Sequence, residues 1–301
     1  MDCLKRWLLP LYYYGTWPIR LWYGHRLACR GCCPIGVVVF HRIADDKATP
    51  WTCSTEVFRR QIQWLRRRFE LISLAEVQRR LRHKQSFRPA VHITFDDGYA
   101  DNGRFALPWL LEQKIPCTYF VSVEQLQTGS SFPHDRAIGR FFPVHQPEEL
   151  RQFAQAGLEI GCHSYSHRDL GPVTDPAILK KEILHARWEL EQILDKPVRY
   201  FAFPFGQPEN LNQQAFWWVQ QAGYDAACSA YGAYNFPGQD WFHIRRIPAD
   251  GWLLRLKHHL LFDPRRLSDS VSYGGLKLEL SEQAKLPLGG QLHGPSSAKS
   301  I

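Results

Sequence analysis

The 301-residue sequence has no window of 18 clean apolar residues, which excludes a transmembrane helix. No small-residue cleavage site follows its short N-terminal apolar segment, so no cleavable secretory signal is read there. Its eight cysteines are too sparse for a disulfide scaffold in a chain of this length. Cys29, Cys32 and Cys33 have half the spacing of a zinc knuckle, but no second Cys/His pair follows at finger distance, so loop thiols or an acylated surface are expected. The 21 glycines and 20 prolines carry no period, which excludes a collagen-like chain. There is no internal repeat. No recognition module accompanies the basic residues, so nucleic acid is not expected as a partner.

What is present is an ordinary globular composition, 45% hydrophobic and 22% charged, with a net charge of +8. Such a balance permits an anionic partner such as a membrane surface or a phosphorylated glycan. The arginines of residues 55–88 fall largely off the stripe of Phe58, Ile62, Leu65 and Phe69, and read as the solvated face of an amphipathic helix. Residues 1–34 form an aromatic and basic arm, with Trp7, Tyr12–Tyr14, Trp17, Trp22 and Tyr23 among arginines. Packing on the domain and peripheral contact with a membrane are both open for it. A cytoplasmic or membrane-peripheral location is favoured, and the oligomeric state is not legible.

Short apolar runs at 37–40, 91–95, 117–121, 159–161, 200–203, 226–228 and 243–247 read as strands. Cys117 and Cys228 fall in such runs and Cys162 directly follows one, as buried thiols do. Helical signals lie between them: a capping box at Ser73–Glu76, Asp175 before Pro176, and a helix from Glu148 to Ala156 stopped by Gly157. Alternation of this kind predicts an α/β fold, a distorted (β/α) barrel of seven or eight parallel strands, in one catalytic domain over residues 35–262. A partly disordered tail is expected over 263–301.

The carboxyl ends of these strands carry the chemistry. His41 follows the first, Asp96-Asp97-Gly98 the second, His163 and His167 the fourth, and Pro204-Phe205-Gly206 the fifth. In an α/β barrel these ends form one rim, where active sites are built. On a helical turn His163 and His167 would present both imidazoles to one metal. Two adjacent carboxylates at a strand end call for a cation. One carboxylate and two imidazoles make a three-ligand site with open positions, and the second carboxylate is left as a general base.

The segments Thr94-Phe95-Asp96-Asp97-Gly98, His163-Ser164-Tyr165-Ser166-His167 and Phe201-Ala202-Phe203-Pro204-Phe205-Gly206 resemble the polysaccharide deacetylases, carbohydrate esterase family 4 or the NodB homology group. Phe40-His41-Arg42-Ile43 and Arg246-Ile247-Pro248 resemble its exopolysaccharide-associated branch. The resemblance covers about residues 35–250. It implies a metal-dependent hydrolase that removes N-acetyl groups from an aminosugar-containing polysaccharide. The metal it implies is divalent, zinc foremost, with cobalt, nickel and iron(II) admitted. By the same resemblance Asp97, His163 and His167 are the metal ligands, and Asp96 is the base that acts on the attacking water. Phe203, Pro204 and Phe205 wall the acetyl pocket, with the Phe205 N–H near the oxyanion.

Two departures matter. Ala202 stands where many members carry an arginine that tunes the catalytic aspartate, which leaves Arg246 as the candidate partner of Asp96. The late Leu-His pair, Leu292-His293, lies in the tail beyond the span of the resemblance, and His41 at the rim is proposed as the general acid or as a supporting residue. A long segment between 125 and 147, including Phe132-Pro133-His134-Asp135, is expected to shape the groove. The alternatives are a related hydrolase of small or cyclic amides and a non-catalytic glycan-binding barrel. A binding-only site has no need of a free base, and both Asp96 and Asp97 are present.

Overall fold

The computed structural model describes residues 3–261, with side chains described from Leu8. Nine parallel strands form one curled sheet: β1 Ile35–Phe40, β2 Glu70–Leu71, β3 Ala90–Phe95, β4 Cys117–Val121, β5 Glu159–Cys162, β6 Tyr200–Ala202, β7 Ala226–Cys228, β8 His243–Ile244 and β9 Ile247–Pro248. The order across the sheet is β8-β7-β6-β5-β4-β3-β1-β9, with β2 beside β3. The longest strands, β1 and β3, are buried along their whole length. Runs rich in β-branched residues suit a parallel sheet covered on both faces. Their register pairs Ile35 with Ala90 and Phe40 with Phe95, so the chain leaves both strands at one height, at His41 and Asp96.

A single strand over 243–247 is not what forms. His243–Ile244 pairs with β7 at one edge of the sheet, and Ile247–Pro248 pairs with β1 at the other. Only Arg245 and Arg246 lie between, and the three peptide steps from 244 to 247 span at most about 11 Å. The sheet therefore curls until its two edges nearly meet, leaving a seam that no strand ladder closes. Asn235 bridges it: its amide exchanges backbone bonds with Ile35, and its side chain bonds both the N–H and the carbonyl of Arg245.

Helices cover the outside. Ser54 accepts from the Val57 N–H and starts the helix Thr55–Arg68. Phe58, Ile62 and Leu65 are buried, Phe69 is half-buried at the helix end, and the arginines of this helix face outward. The Phe58 ring lies 5.1 Å from Phe40 and 5.8 Å from Phe95, which ties the helix to the two central strands. At Ser73 only half of the expected capping box forms. Its hydroxyl accepts from Glu76 N–H, while the Glu76 carboxylate turns to Arg79 and Arg80. Asp175 caps Pro176–Leu179, which continues through a wide turn at Lys180–His185 into Ala186–Leu194. Pro147–Gln155 is helical, with Gly157 at φ +98° beyond it. The arm before β1 is two helices, Cys3–Gly15 and Trp17–Cys29. The tail expected from residue 263 lies outside the described residues.

Candidate active site

Asp96 extends β3 by one ladder bond, its N–H donating to the Phe40 carbonyl at 2.9 Å. Asp97 then adopts φ +74° and Gly98 φ +91°. Two left-handed residues in succession reverse the chain, and the Gly98 N–H closes onto the Asp96 carbonyl at 3.0 Å. Aspartate tolerates this conformation better than most residues, and glycine adopts it freely. The turn sends the two carboxylates apart. Asp97 meets the imidazoles of His163 and His167, and Asp96 meets Arg246. Both are buried.

The histidine pair is not on a helical turn. Residues 163–167 form a loop in which Ser164 (φ +64°) and His167 (φ +58°) are left-handed. The Ser164 hydroxyl accepts from the His167 N–H at 3.0 Å, and Glu182 accepts from both the N–H and the hydroxyl of Ser166. This loop brings the rings to a centroid separation of 5.0 Å. His163 Nδ1 lies 2.9 Å from the Ala202 carbonyl, which can only accept, so the proton is assigned to Nδ1 and the Nε2 lone pair faces the site. His163 Nε2 and His167 Nε2 lie 3.5 and 3.2 Å from one oxygen, Asp97 Oδ1. One donor atom from each residue falls within 4.8 Å of the others. A carboxylate oxygen facing two imidazole nitrogens is a donor set for a divalent cation, and it suits zinc well. Burial would raise the Asp97 carboxyl, but contact with the His163 and His167 imidazoles, and the charge of His167 and His41, hold it well below the usual carboxylate range.

Asp96 pairs with Arg246, and its Oδ2 also lies 3.7 Å from His163 Nε2. Arg246 donates to Asp96 Oδ1 at 2.6 Å and to Oδ2 at 2.7 Å, a two-pronged bond. The guanidinium is itself fixed by the Ser229 carbonyl at 2.9 Å and the Thr94 hydroxyl at 3.2 Å. Burial opposes ionisation of Asp96, and the Arg246 charge outweighs it, with His163 adding to the effect. Its carboxyl therefore stays below the ordinary carboxylate range.

A polysaccharide deacetylase family model matches residues 83–227. That span takes in both aspartates, both histidines and the Pro204–Gly206 turn. Residues 83–227 carry a polysaccharide deacetylase family domain. The chain is 23% identical over 164 residues to YxkH of Bacillus subtilis (strain 168), whose name assigns it provisionally to the same family. The match takes in 54% of this chain and 53% of that one, so the chain spans about half the length of this curated relative. Among solved structures, the fold resembles the Streptococcus pyogenes deacetylase PplD, solved in complex with acetate. There the TM-score is 0.64 and the identity 18%, over 76% of this chain and 99% of that one. IcaB from Ammonifex degensii gives a TM-score of 0.61 at 21% identity, over 76% and 97% of the two chains.

The remaining residues surround the same spot. His41 Nδ1 lies 2.6 Å from Asp250 Oδ2, and its backbone N–H donates to Asp250 Oδ1. Burial pushes the imidazole pKa down, but the Asp250 carboxylate more than compensates and raises it to about 10, with Asp97 and Asp96 contributing. His41, Asp96, Asp97, His163 and His167 line a cavity of about 270 Å³ together with Trp51, His134, Phe205 and Gln207.

Phe203 and Pro204 do not line this cavity. Side chains alternate along a strand, so Phe203 points the same way as Phe201, into the core. Its ring lies 4.7 Å from Phe216 and 5.2 Å from Phe201. Phe205, half exposed and at φ +61°, reaches the site instead, 5.0 Å from the His167 ring. Gly206 is required behind it, because a Cβ there would come within 2.7 Å of Ala230 N.

Sequence reasoning did not single out Asp250, Trp51 or Tyr99. Asp135 has no exposure and accepts from the Tyr99 hydroxyl at 2.9 Å and from Trp51 Nε1 at 3.1 Å. This network fixes the segment that carries His134, whose ring sits 5.5 Å from His167. The only sequence signal was the position of Phe132–Asp135 in a long segment between strands.

Proposed function

We propose that the protein is a metal-dependent hydrolase that removes N-acetyl groups from an aminosugar-containing polysaccharide. The observation that carries this reading is the division of labour between neighbours. Asp97 faces two imidazoles, while Asp96, 3.7 Å from His163 Nε2, is gripped by both prongs of Arg246 and kept ionised. Asp97, His163 and His167 would hold the metal, which when bound polarises the amide carbonyl and lowers the pKa of water. Asp96 accepts the proton of the attacking water. It can do so because the arginine fixes its orientation and keeps it unprotonated.

The tetrahedral oxyanion needs fixed donors, and the Phe205 backbone N–H in the strained turn is assigned that part. The amine leaving group needs a proton. His41, whose pKa is raised to about 10 by Asp250, carries one throughout the neutral range and donates it. Phe205 and Trp51 supply apolar wall at the mouth of the cavity. Acetate, the product expected here, is the ligand bound in the PplD structure.

The test is acetate release from N-acetylglucosamine oligomers with and without added Zn²⁺ or Co²⁺, for the parent and for Asp96→Asn. The expected result is a variant that retains metal but loses about two to four orders of magnitude in turnover. Equal release by both proteins overturns the assignment of the base.

A further inference from the structure

The two helices that precede β1 leave a group of apolar side chains exposed. Of the twelve large hydrophobic side chains that are exposed among the described residues, six fall between residues 8 and 22. They are Leu8, Leu11, Tyr14, Ile19, Leu21 and Trp22, each at least half exposed. The inward side of the same helices is firmly docked. Tyr13 is buried, and Arg20 donates to the carbonyl of Leu261 at 2.8 Å and to that of His258 at 3.4 Å. The outward face is therefore a surface left over after docking, not a frayed end. Scattered exposed apolar residues are ordinary, but here half of the exposed large hydrophobics among the described residues fall within fifteen consecutive positions.

Three further observations identify the occupant. From residue 3 to residue 44 the sequence has no aspartate or glutamate. Exposed Arg26 lies 4.9 Å over the Trp22 ring, and Arg30 is exposed beyond it. The third is continuity with a second apolar and basic element. Gly31 and Cys33 pair with Ser86, and Phe87, 59% exposed, lies against Gly31, with Lys84 exposed beside it and Arg88 paired to Glu70 at 3.4 Å. Tryptophan and tyrosine together with arginine, on two helices that carry no acidic residue, match the interfacial zone of an anionic bilayer. Neither a second copy nor another segment of this chain explains the absence of acid.

We propose that this arm docks the protein on an anionic lipid surface, with the catalytic rim facing away from it. The orientation follows from the fold. The arm is fastened at Ser86 and Leu261, beside the amino ends of β3 and β1, and the rim lies at their carboxyl ends. Six residues at roughly 3.3 Å each separate the two ends by about 20 Å. The rim would then meet polymer standing off the membrane, a consequence that rests on the deacetylase reading, while the docking itself does not.

The experiment uses the full chain with vesicles of phosphatidylcholine, with or without phosphatidylglycerol. Binding is read by co-sedimentation, and depth by quenching of tryptophan fluorescence with brominated lipid. The expected result is binding to anionic vesicles about tenfold or more tighter than to neutral ones, weakened by salt. Leu11→Ser combined with Trp22→Ser should weaken binding about tenfold, with acetate release from soluble oligomers unchanged. Trp22→Phe should remove part of the quenching, and Trp51→Phe, at the rim, none of it. Three results would overturn the inference: no anionic preference, binding indifferent to the double substitution, or a dimer in lipid-free solution that the double substitution dissolves. Acetate release is measured separately, so loss of the catalytic reading would leave this result interpretable.

Discussion

Arg246 is the residue on which both stability and the pH response of the site turn. Arg246→Met removes a two-pronged ion pair whose members are both buried and leaves the Asp96 charge unpaired. Breaking a buried pair from one side costs about 3–5 kcal/mol. The protein can avoid part of this by protonating Asp96. In the parent the Arg246 charge outweighs burial and holds the carboxyl low. Without it burial dominates, and burial alone raises a carboxyl by up to about 3–5 units.

The acid limb of kcat/KM for acetate release should therefore move from below the ordinary carboxylate range to near neutrality. Activity at mildly acid pH should fall far more than activity at alkaline pH. The stability sign reverses as well. The lowered pKa of the parent contributes stability above the unfolded-state value of about 3.9, lost as pH falls through the folded-state value. The raised pKa of the variant removes stability as pH rises through that window, so its melting deficit should shrink toward pH 4. Arg246→Lys, which keeps the charge but loses the fork, should fall between. An unshifted acid limb with a melting deficit constant from pH 4 to pH 8 would refute the reasoning.

Asp250→Asn should bring the His41 pKa from about 10 toward the ordinary value of about 6.5. Because the reaction needs the protonated imidazole, the basic limb of the rate profile should move down by a similar interval, as a pH series would show. The same pair contributes stability that is complete below about pH 6.5 and is lost as pH rises through the folded value. Phe58→Ala leaves a void among Phe40, Phe95 and Trp109, and should cost about 3–5 kcal/mol in a denaturant titration with kcat little changed in the folded fraction. Glu182→Gln cannot accept from both donors of Ser166 with equal strength. It should weaken metal affinity about 10–100-fold in a chelator competition by loosening the loop that carries His167.

The groups that the sequence makes visible are those delivered directly by strand ends. Asp96, Asp97 and His163 each leave a strand whose apolar run is unmistakable, and parallel strands set them on one rim. Arg246 could be named only as a candidate, because its approach to Asp96 depends on the seam. That seam comes from splitting one apparent strand between two sheet edges, and periodicity carries no sign of it. The loop at 163–167 was misread as a helical turn because spacing four suits a helix, while the left-handed Ser164 and His167 show only in the backbone. Phe203 was placed at the pocket by its neighbours in sequence, although strand alternation puts it in the core. Asp250 lies 209 residues from His41, and nothing local marks such a pair.

The rim also shows where the fold accepts strain. Eight non-glycine residues have positive φ among the described residues, and four of them are Asp97, Ser164, His167 and Phe205. Each left-handed side chain costs about 1–2 kcal/mol. Any one of them could relax by peeling its loop away from the strand beneath. What prevents this is that the strands that deliver them, β3, β5 and β6, are buried almost throughout and held in register by their neighbours. Relaxation would also break the Asp96–Arg246 pair or the His163–Ala202 bond. The seam adds a second constraint. Arg246 reaches Asp96 only while the two sheet edges stay within the short span of residues 244–247, so the closure of the barrel and the ionised state of Asp96 are coupled. A substitution that opened the seam at Asn235, far from any reacting atom, would therefore change the pH dependence as well as the stability.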